Sequence, residues 1–171
     1  MSPLGWIHVT FATSAMVIGA VVVLRPKGTR THRAIGWAYV TCMLGLNITA
    51  LMIYRLFGHF GPFHVAAIAS LISVSVGMYF VIARPTKNWL ALHYSFMSWS
   101  YVGLLAAAAS EIGTRVEAFH FWWAVLIATV LVVGCGGLLV VRNQRRILKR
   151  FGKLATERVA RKPYSKETSL R

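Results

Sequence analysis

The sequence predicts an all-α integral membrane bundle of five transmembrane helices, with the N-terminus outside and a basic amphipathic tail in the cytoplasm. Three observations lead there. The 171 residues are 57% hydrophobic and only 13% charged, and the apolar ones come in long runs, as in bilayer-spanning chains. Five windows reach the roughly 20 residues that a crossing helix needs: about Leu4–Leu24, Ala34–Phe57, Pro62–Ala83, Trp89–Ser110 and Phe119–Val141. The cations, finally, alternate between sides. Four (Arg25, Lys27, Arg30, Arg33) lie between the first two windows, two (Arg84, Lys87) between the third and fourth, and eleven after Val141, against only Arg55 and Arg115 on the opposite side. Cytoplasmic loops carry the excess of Lys and Arg, so the two chain ends fall on opposite sides and the number of crossings is odd. The expected division is a five-helix transmembrane domain over residues 1–141 and a basic cytoplasmic tail over 142–171.

Helix one lacks the basic start of a signal peptide and is long for one, so it is expected to stay as a helix. His8, Ala12, Ala15 and Gly19 share one of its stripes, small enough to admit a neighbouring backbone. Pro26 and Gly28 break the chain before helix two, with Thr31 expected as its N-cap. In helix two, His32, Gly36, Tyr39, Met43, Asn47, Ala50 and Tyr54 fall within about 80° of arc, which reads as a buried face. Asn47 in mid-membrane needs a partner on another helix, because an unpaired amide in hydrocarbon costs roughly 2–7 kcal/mol.

Helix three is expected to open at Pro62, a residue favoured in a first turn. His64 lies on one of its sides, and Ala66, Ala69, Ser70, Ser73 and Gly77 on the other. Two occupied faces suggest a central place in the bundle. Helix four follows Pro85, with Trp89 placed as an interfacial residue. His93 and Glu111 are separated by about five turns, roughly 27 Å, so they share a face near opposite membrane surfaces with Ser100 and Ala107 between them. Such groups face other helices rather than lipid. Helix five has Trp122 and Trp123 at one end and Gly134, Cys135, Gly136 and Gly137 at the other. Cys42 and Cys135 are expected as small packing residues rather than a disulfide.

Beyond Val141, Ile147, Phe151 and Leu154 recur at helical spacing between cations. That pattern suits an amphipathic segment on the anionic inner leaflet, held through Arg142, Arg145, Arg146, Lys149 and Arg150. Nucleic acid is not expected, since no binding motif or aromatic platform accompanies the charge.

The topology sorts the six histidines by side. His8, His59, His64 and His120 fall at the outer face beside Glu111 and Glu117, while His32 and His93 fall at the inner face among Arg33, Tyr39 and Tyr94. A divalent metal is one reading of the outer group, through His8, His64, His120 and Glu111, because zinc takes nitrogen and oxygen ligands of these types. A second is haem b, which needs paired axial histidines at each depth. His32 with His93 would serve the inner haem and His64 with His8 or His120 the outer, with Tyr39 and Ser100 beside them. The plainer reading is that the histidines cap helices or bond across them. Hydrolysis is disfavoured: the chain has no Asp and no nucleophile elbow. An accessory subunit packed into a larger membrane complex, and a small transporter or proton path along the polar seam, are the remaining readings.

HRAIGWAYV at His32–Val40, PFHVAAIASL at Pro62–Leu71 and LHYSFMSWSYVGLLAAAASE at Leu92–Glu111 together resemble a family of bacterial predicted membrane proteins, domain of unknown function 2306. His32, Arg33, Gly36, Trp37, Tyr39, His93, Tyr94, Met97, Ser100 and Tyr101 carry the resemblance, over about helices two to four. It implies a multi-pass protein of the bacterial inner membrane with characteristic histidines, and no activity.

Overall fold

The computed structural model describes residues 2–54, 58–115 and 120–160, without the side chains of 150 and 152–160. These residues form five helices: α1 (Pro3–Leu24), α2 (Arg30–Met52), α3 (Pro62–Ala83), α4 (Trp89–Gly113) and α5 (Phe121–Ala160). No strand occurs among the described residues. α1, α2, α3 and the stretch Phe121–Lys149 of α5 are long and apolar enough to cross a membrane. α4 is long enough but falls short in apolarity, because His93, the serines and Glu111 dilute it.

The ends follow local chemistry. Ser2 caps α1 through its side chain, which accepts the Gly5 N–H, and Pro3 enters its first turn. At the other end the Lys27 ammonium donates to the Val22 carbonyl oxygen at 2.8 Å, filling an acceptor that a helix end leaves open. Partial burial there holds the Lys27 pKa below the usual lysine range. Thr29, not Thr31, caps α2 by accepting the His32 N–H at 3.0 Å, so the helix starts at Arg30, ahead of the apolar run. It ends at Met52; positions 55–57 of the expected window, Arg55 among them, lie outside the described residues. α3 starts at Pro62 as expected.

α1 packs on α2, α2 on α3, α3 on α4, and α1 meets α4 along the shortest seam. The four thus close a ring in which α1 faces α3 and α2 faces α4 as diagonals. α5 packs along the outside of α4. The central helix is therefore α4, with three neighbours, and not α3; Ala66 and Ala69 of the expected α3 stripe are exposed.

A hydrogen bond crosses each seam. His8 Nδ1 meets Thr49 Oγ1 at 3.1 Å between α1 and α2, and Asn47 Nδ2 donates to Ser70 Oγ at 3.2 Å between α2 and α3. Ser73 Oγ donates to the Phe96 carbonyl at 2.9 Å between α3 and α4, and Tyr101 OH donates to the Met16 carbonyl at 3.1 Å between α4 and α1. α5 is tied to α4 by Tyr94 OH on the Val140 carbonyl, Ser110 with Thr129, and Gln144 Nε2 on Ser95 Oγ. Burying these polar groups is tolerable because each finds a partner. Both cysteines are free; Cys42 packs against the core, whereas Cys135 is exposed and does not serve as packing.

Candidate functional site

The centre of the ring is a packed layer with a cavity on either side of it. Ala15 and Val74 are fully enclosed, and Tyr39 and Met43 are 2% and 1% exposed. Ser100 Oγ donates to the Met97 carbonyl at 2.8 Å, which uses its hydrogen. The Tyr39 hydroxyl, 3.0 Å away, is therefore the donor to Ser100. This bond runs along the α2–α4 diagonal and seals the layer.

At one end lies a cavity of about 260 Å³ bordered by all four ring helices, including Gly19, His32, Arg33, Tyr39, Arg84 and His93. At the other lies one of about 430 Å³ bordered by His8, Asn47, His64, Ser70, Glu111 and Arg115. On α2 the levels of residues 36 and 47 differ by about 16 Å at roughly 1.5 Å of rise per residue. His32 and His93 stand on the diagonal helices α2 and α4; His8 and His64 stand on the diagonal helices α1 and α3.

Hydrogen bonds fix how three of these rings are protonated when neutral. His93 Nδ1 lies 2.8 Å from the Gly77 carbonyl oxygen. A carbonyl only accepts, so Nδ1 carries the hydrogen and Nε2 keeps its lone pair. Thr49 spends its hydroxyl hydrogen on the α2 backbone at Gly45 and Leu46, so His8 Nδ1 is the donor to it and His8 Nε2 is also basic. His64 is the reverse case. Its Nδ1 accepts the Gly61 N–H at 3.1 Å, which places the hydrogen on Nε2. The ring is 4% exposed and lies against Tyr54 and Phe60, at 4.6 Å and 5.0 Å between centroids.

Among the described residues, the buried side-chain polar atoms left without a partner are His32 Nδ1 and His64 Nε2. One belongs to each cavity.

The inner group forms in part: His32, His93, Arg33 and Tyr39 border one cavity, while Tyr94 turns to α5 and Ser100 sits behind Tyr39. In the outer group His8, His64 and Glu111 border the other cavity. His59 and His120 are exposed and border neither, and Glu117 lies outside the described residues. Glu111 pairs with Arg115 at 2.7 Å, one turn on. Among the described residues no three of His, Cys, Asp and Glu come together as a metal site would require. Sequence reasoning did not reach the roles of Thr49, the Gly77 carbonyl and Arg84. Gly77 was legible only as a small residue, because a backbone acceptor leaves no mark on the sequence.

The family model described as "Predicted membrane protein (DUF2306)" matches residues 5–142. No curated protein and no solved structure matches the chain.

Proposed function

Because this chain belongs to the DUF2306 family of predicted membrane proteins, whose description carries no activity, we propose that it is a haem-linked electron carrier of the bacterial inner membrane. In this reading one b-type haem sits between His32 and His93 and a second between His8 and His64. Bundle interiors commonly hold cofactors on facing helices, and the diagonal placement of the pairs provides one ligand on each side of a plane. The observation that carries the reading is that each cavity contains a buried imidazole nitrogen with no partner, where most buried polar groups are satisfied.

The His93 ring is oriented as metal-bound histidines are, with its second nitrogen donating to a backbone carbonyl. His64 would have to give up its Nε2 hydrogen, moving it to Nδ1 and breaking the Gly61 bond. The volumes of about 260 and 430 Å³ are small for a porphyrin. A haem would extend into the openings between helices, such as the groove bordered by the exposed Trp37 and Ile82. A bound haem supplies a one-electron iron couple; the protein supplies its ligands and a dry surrounding.

A direct role for the metal set His8, His64, His120 and Glu111 is less favoured, because His120 does not border the cavity and no three such side chains come together among the described residues. A continuous proton path is also less favoured, because Ala15, Tyr39, Met43 and Val74 close the middle. The same reading takes α4 as a fifth crossing, with residue 2 outside and α5 leading into the cytoplasm. There the exposed Arg142, Arg145, Arg146 and Lys149 would meet anionic lipid; the Arg150 side chain lies outside the described ones. A reporter fused to the C-terminus should be active only in the cytoplasm, and activity outside would overturn the orientation.

The deciding measurement is an optical spectrum of detergent-purified protein produced with ample haem, oxidised and then reduced. Two haems per chain, falling to one in His93→Ala and in His64→Ala, are expected. A colourless protein would sink the reading.

A further inference from the structure

Acidic and basic side chains are unequally shared between the two ends of the ring. The chain has four acidic residues against nineteen Lys and Arg, and the first of the four in chain order is Glu111. It lies near the end of α4 and pairs with Arg115 at 2.7 Å beside the larger cavity. The smaller cavity is bordered by Arg33 and Arg84 and by no acidic residue. Lys27 precedes the same end of α2, but its ammonium is spent on the carbonyl oxygens of Val22, Val23 and Arg25.

Among the described residues neither Arg33 nor Arg84 has a carboxylate partner, and both are exposed. Arg33 stands in the first turn of α2 and Arg84 at the C-terminal end of α3. These two helices are neighbours in the ring and run in opposite senses, so both guanidiniums belong to one end of the bundle. Arg84 is held in place: its backbone is left-handed at φ 49°, and its guanidinium lies 4.8 Å over the Trp89 ring, a favourable cation–π distance. Just beyond the arginines the wall of the cavity is apolar and exposed, at Trp37 on α2 and Ile82 on α3. Both helices are apolar enough to cross a membrane, so the matching ligand has an anionic head and an apolar body. A guanidinium fork fits phosphate in shape and charge, and basic pockets between membrane helices suit anionic headgroups.

We propose that Arg33 and Arg84 form a binding site for the phosphate of an anionic phospholipid whose acyl chains lie along the outside of α2 and α3. The cations after Val141 would meet the leaflet as a whole, whereas these two are fixed on neighbouring helices and take one headgroup. The site concerns the mouth of the smaller cavity alone and does not rest on the haem reading.

The test is native mass spectrometry of the full chain in detergent, titrated with phosphatidylglycerol, with phosphatidylcholine and with inorganic phosphate. Phosphatidylglycerol should form a one-to-one complex and bind more tightly than phosphatidylcholine, whose ammonium cancels the charge of its phosphate. At roughly fivefold per cation near a headgroup, Arg33→Gln with Arg84→Gln weakens that complex about twentyfold and each single change about fivefold. Arg33→Lys with Arg84→Lys, which keeps the charge, retains most of the binding. Arg115→Gln, and the set Arg142→Gln, Arg145→Gln, Arg146→Gln and Lys149→Gln, leave the complex in place. Should the double Gln variant not fold, the two single variants carry the same comparison. Equal binding of the two lipids, Gln variants that bind as the parent does, or a complex lost with the tail cations instead overturns the proposal. Displacement of phosphatidylglycerol by an equal concentration of inorganic phosphate also overturns it, since the site would then be one for free phosphate.

Discussion

The two cavities lie in one ring of helices, yet His93 in the smaller and His64 in the larger are prepared differently. In the smaller cavity His93 is anchored through Nδ1 to the Gly77 carbonyl, which leaves Nε2 unprotonated in the neutral ring. In the larger cavity His64 takes an N–H from Gly61, and its remaining nitrogen carries hydrogen. A backbone carbonyl leaves one imidazole with an unprotonated nitrogen, and a backbone amide leaves the other with a donor. Residue type alone does not tell these apart; the bonding of the second nitrogen does.

The largest test of this difference is haem loading. Titrating haem into stripped protein should give a tight phase and a weaker one, with the tight phase lost in His93→Ala and the weak phase in His64→Ala. A single phase untouched by either change would break the comparison.

Next in size is packing at the smaller cavity. A Cβ on Gly19 would stand 2.4 Å from the Tyr101 ring, whereas one on Gly36 would meet nothing within 4 Å. Gly19→Leu should lose about 1–3 kcal/mol to overpacking, read by thermal unfolding in detergent, while Gly36→Ala should change little. Ser100→Ala removes the acceptor of the buried Tyr39 hydroxyl and should cost about 1–3 kcal/mol. Adding Tyr39→Phe to it should recover most of that loss.

Smaller effects belong to the larger cavity. Asn47→Leu gives up the bond to Ser70 and should cost about 0.6 kcal/mol, the average for such bonds between membrane helices. Glu111→Gln breaks an ion pair whose side chains are 65% and 45% exposed. Its stability cost should be near 0.3–0.5 kcal/mol, roughly that of an exposed pair one turn apart.

Much of this architecture was legible. The apolar runs located α1, α3 and α4 almost to the residue, and the expected stripe of α2 is buried at Tyr39, Met43 and Asn47, half-buried at His32, and exposed at Tyr54, which lies beyond the helix. Asn47 required a partner on another helix, and Ser70 supplies it. The sorting of His32 and His93 from His8 and His64 followed from counting crossings. Other features were not legible for physical reasons. Lipid is as apolar as a protein core, so the α3 pattern could not tell that Ala69 is exposed while Ala66 borders the larger cavity. His8 and His120 both lie near the same end of the bundle by helix position, and only the closure of α1–α4, with α5 left outside, selects His8. Thr29 and Thr31 are equally able caps by type; the choice depends on which one stands beside the free His32 N–H. Ring protonation depends on the backbone of another segment, which no pattern within one helix encodes.

The modest apolarity of α4 has a consequence for biogenesis. A segment with His93, Ser95, Ser98, Ser100 and Glu111 partitions poorly from the translocon as a lone helix, since polar side chains weigh heavily in that step. Of these, His93 is matched by Gly77 on α3, Ser100 by Tyr39 on α2 and Ser95 by Gln144 on α5. Insertion of α4 should therefore wait for α5 to emerge from the ribosome, so that the last helix acts as an intramolecular chaperone. A chain truncated at residue 120 and released from the ribosome should leave α4 outside the bilayer, and one truncated at residue 150 should seat both together.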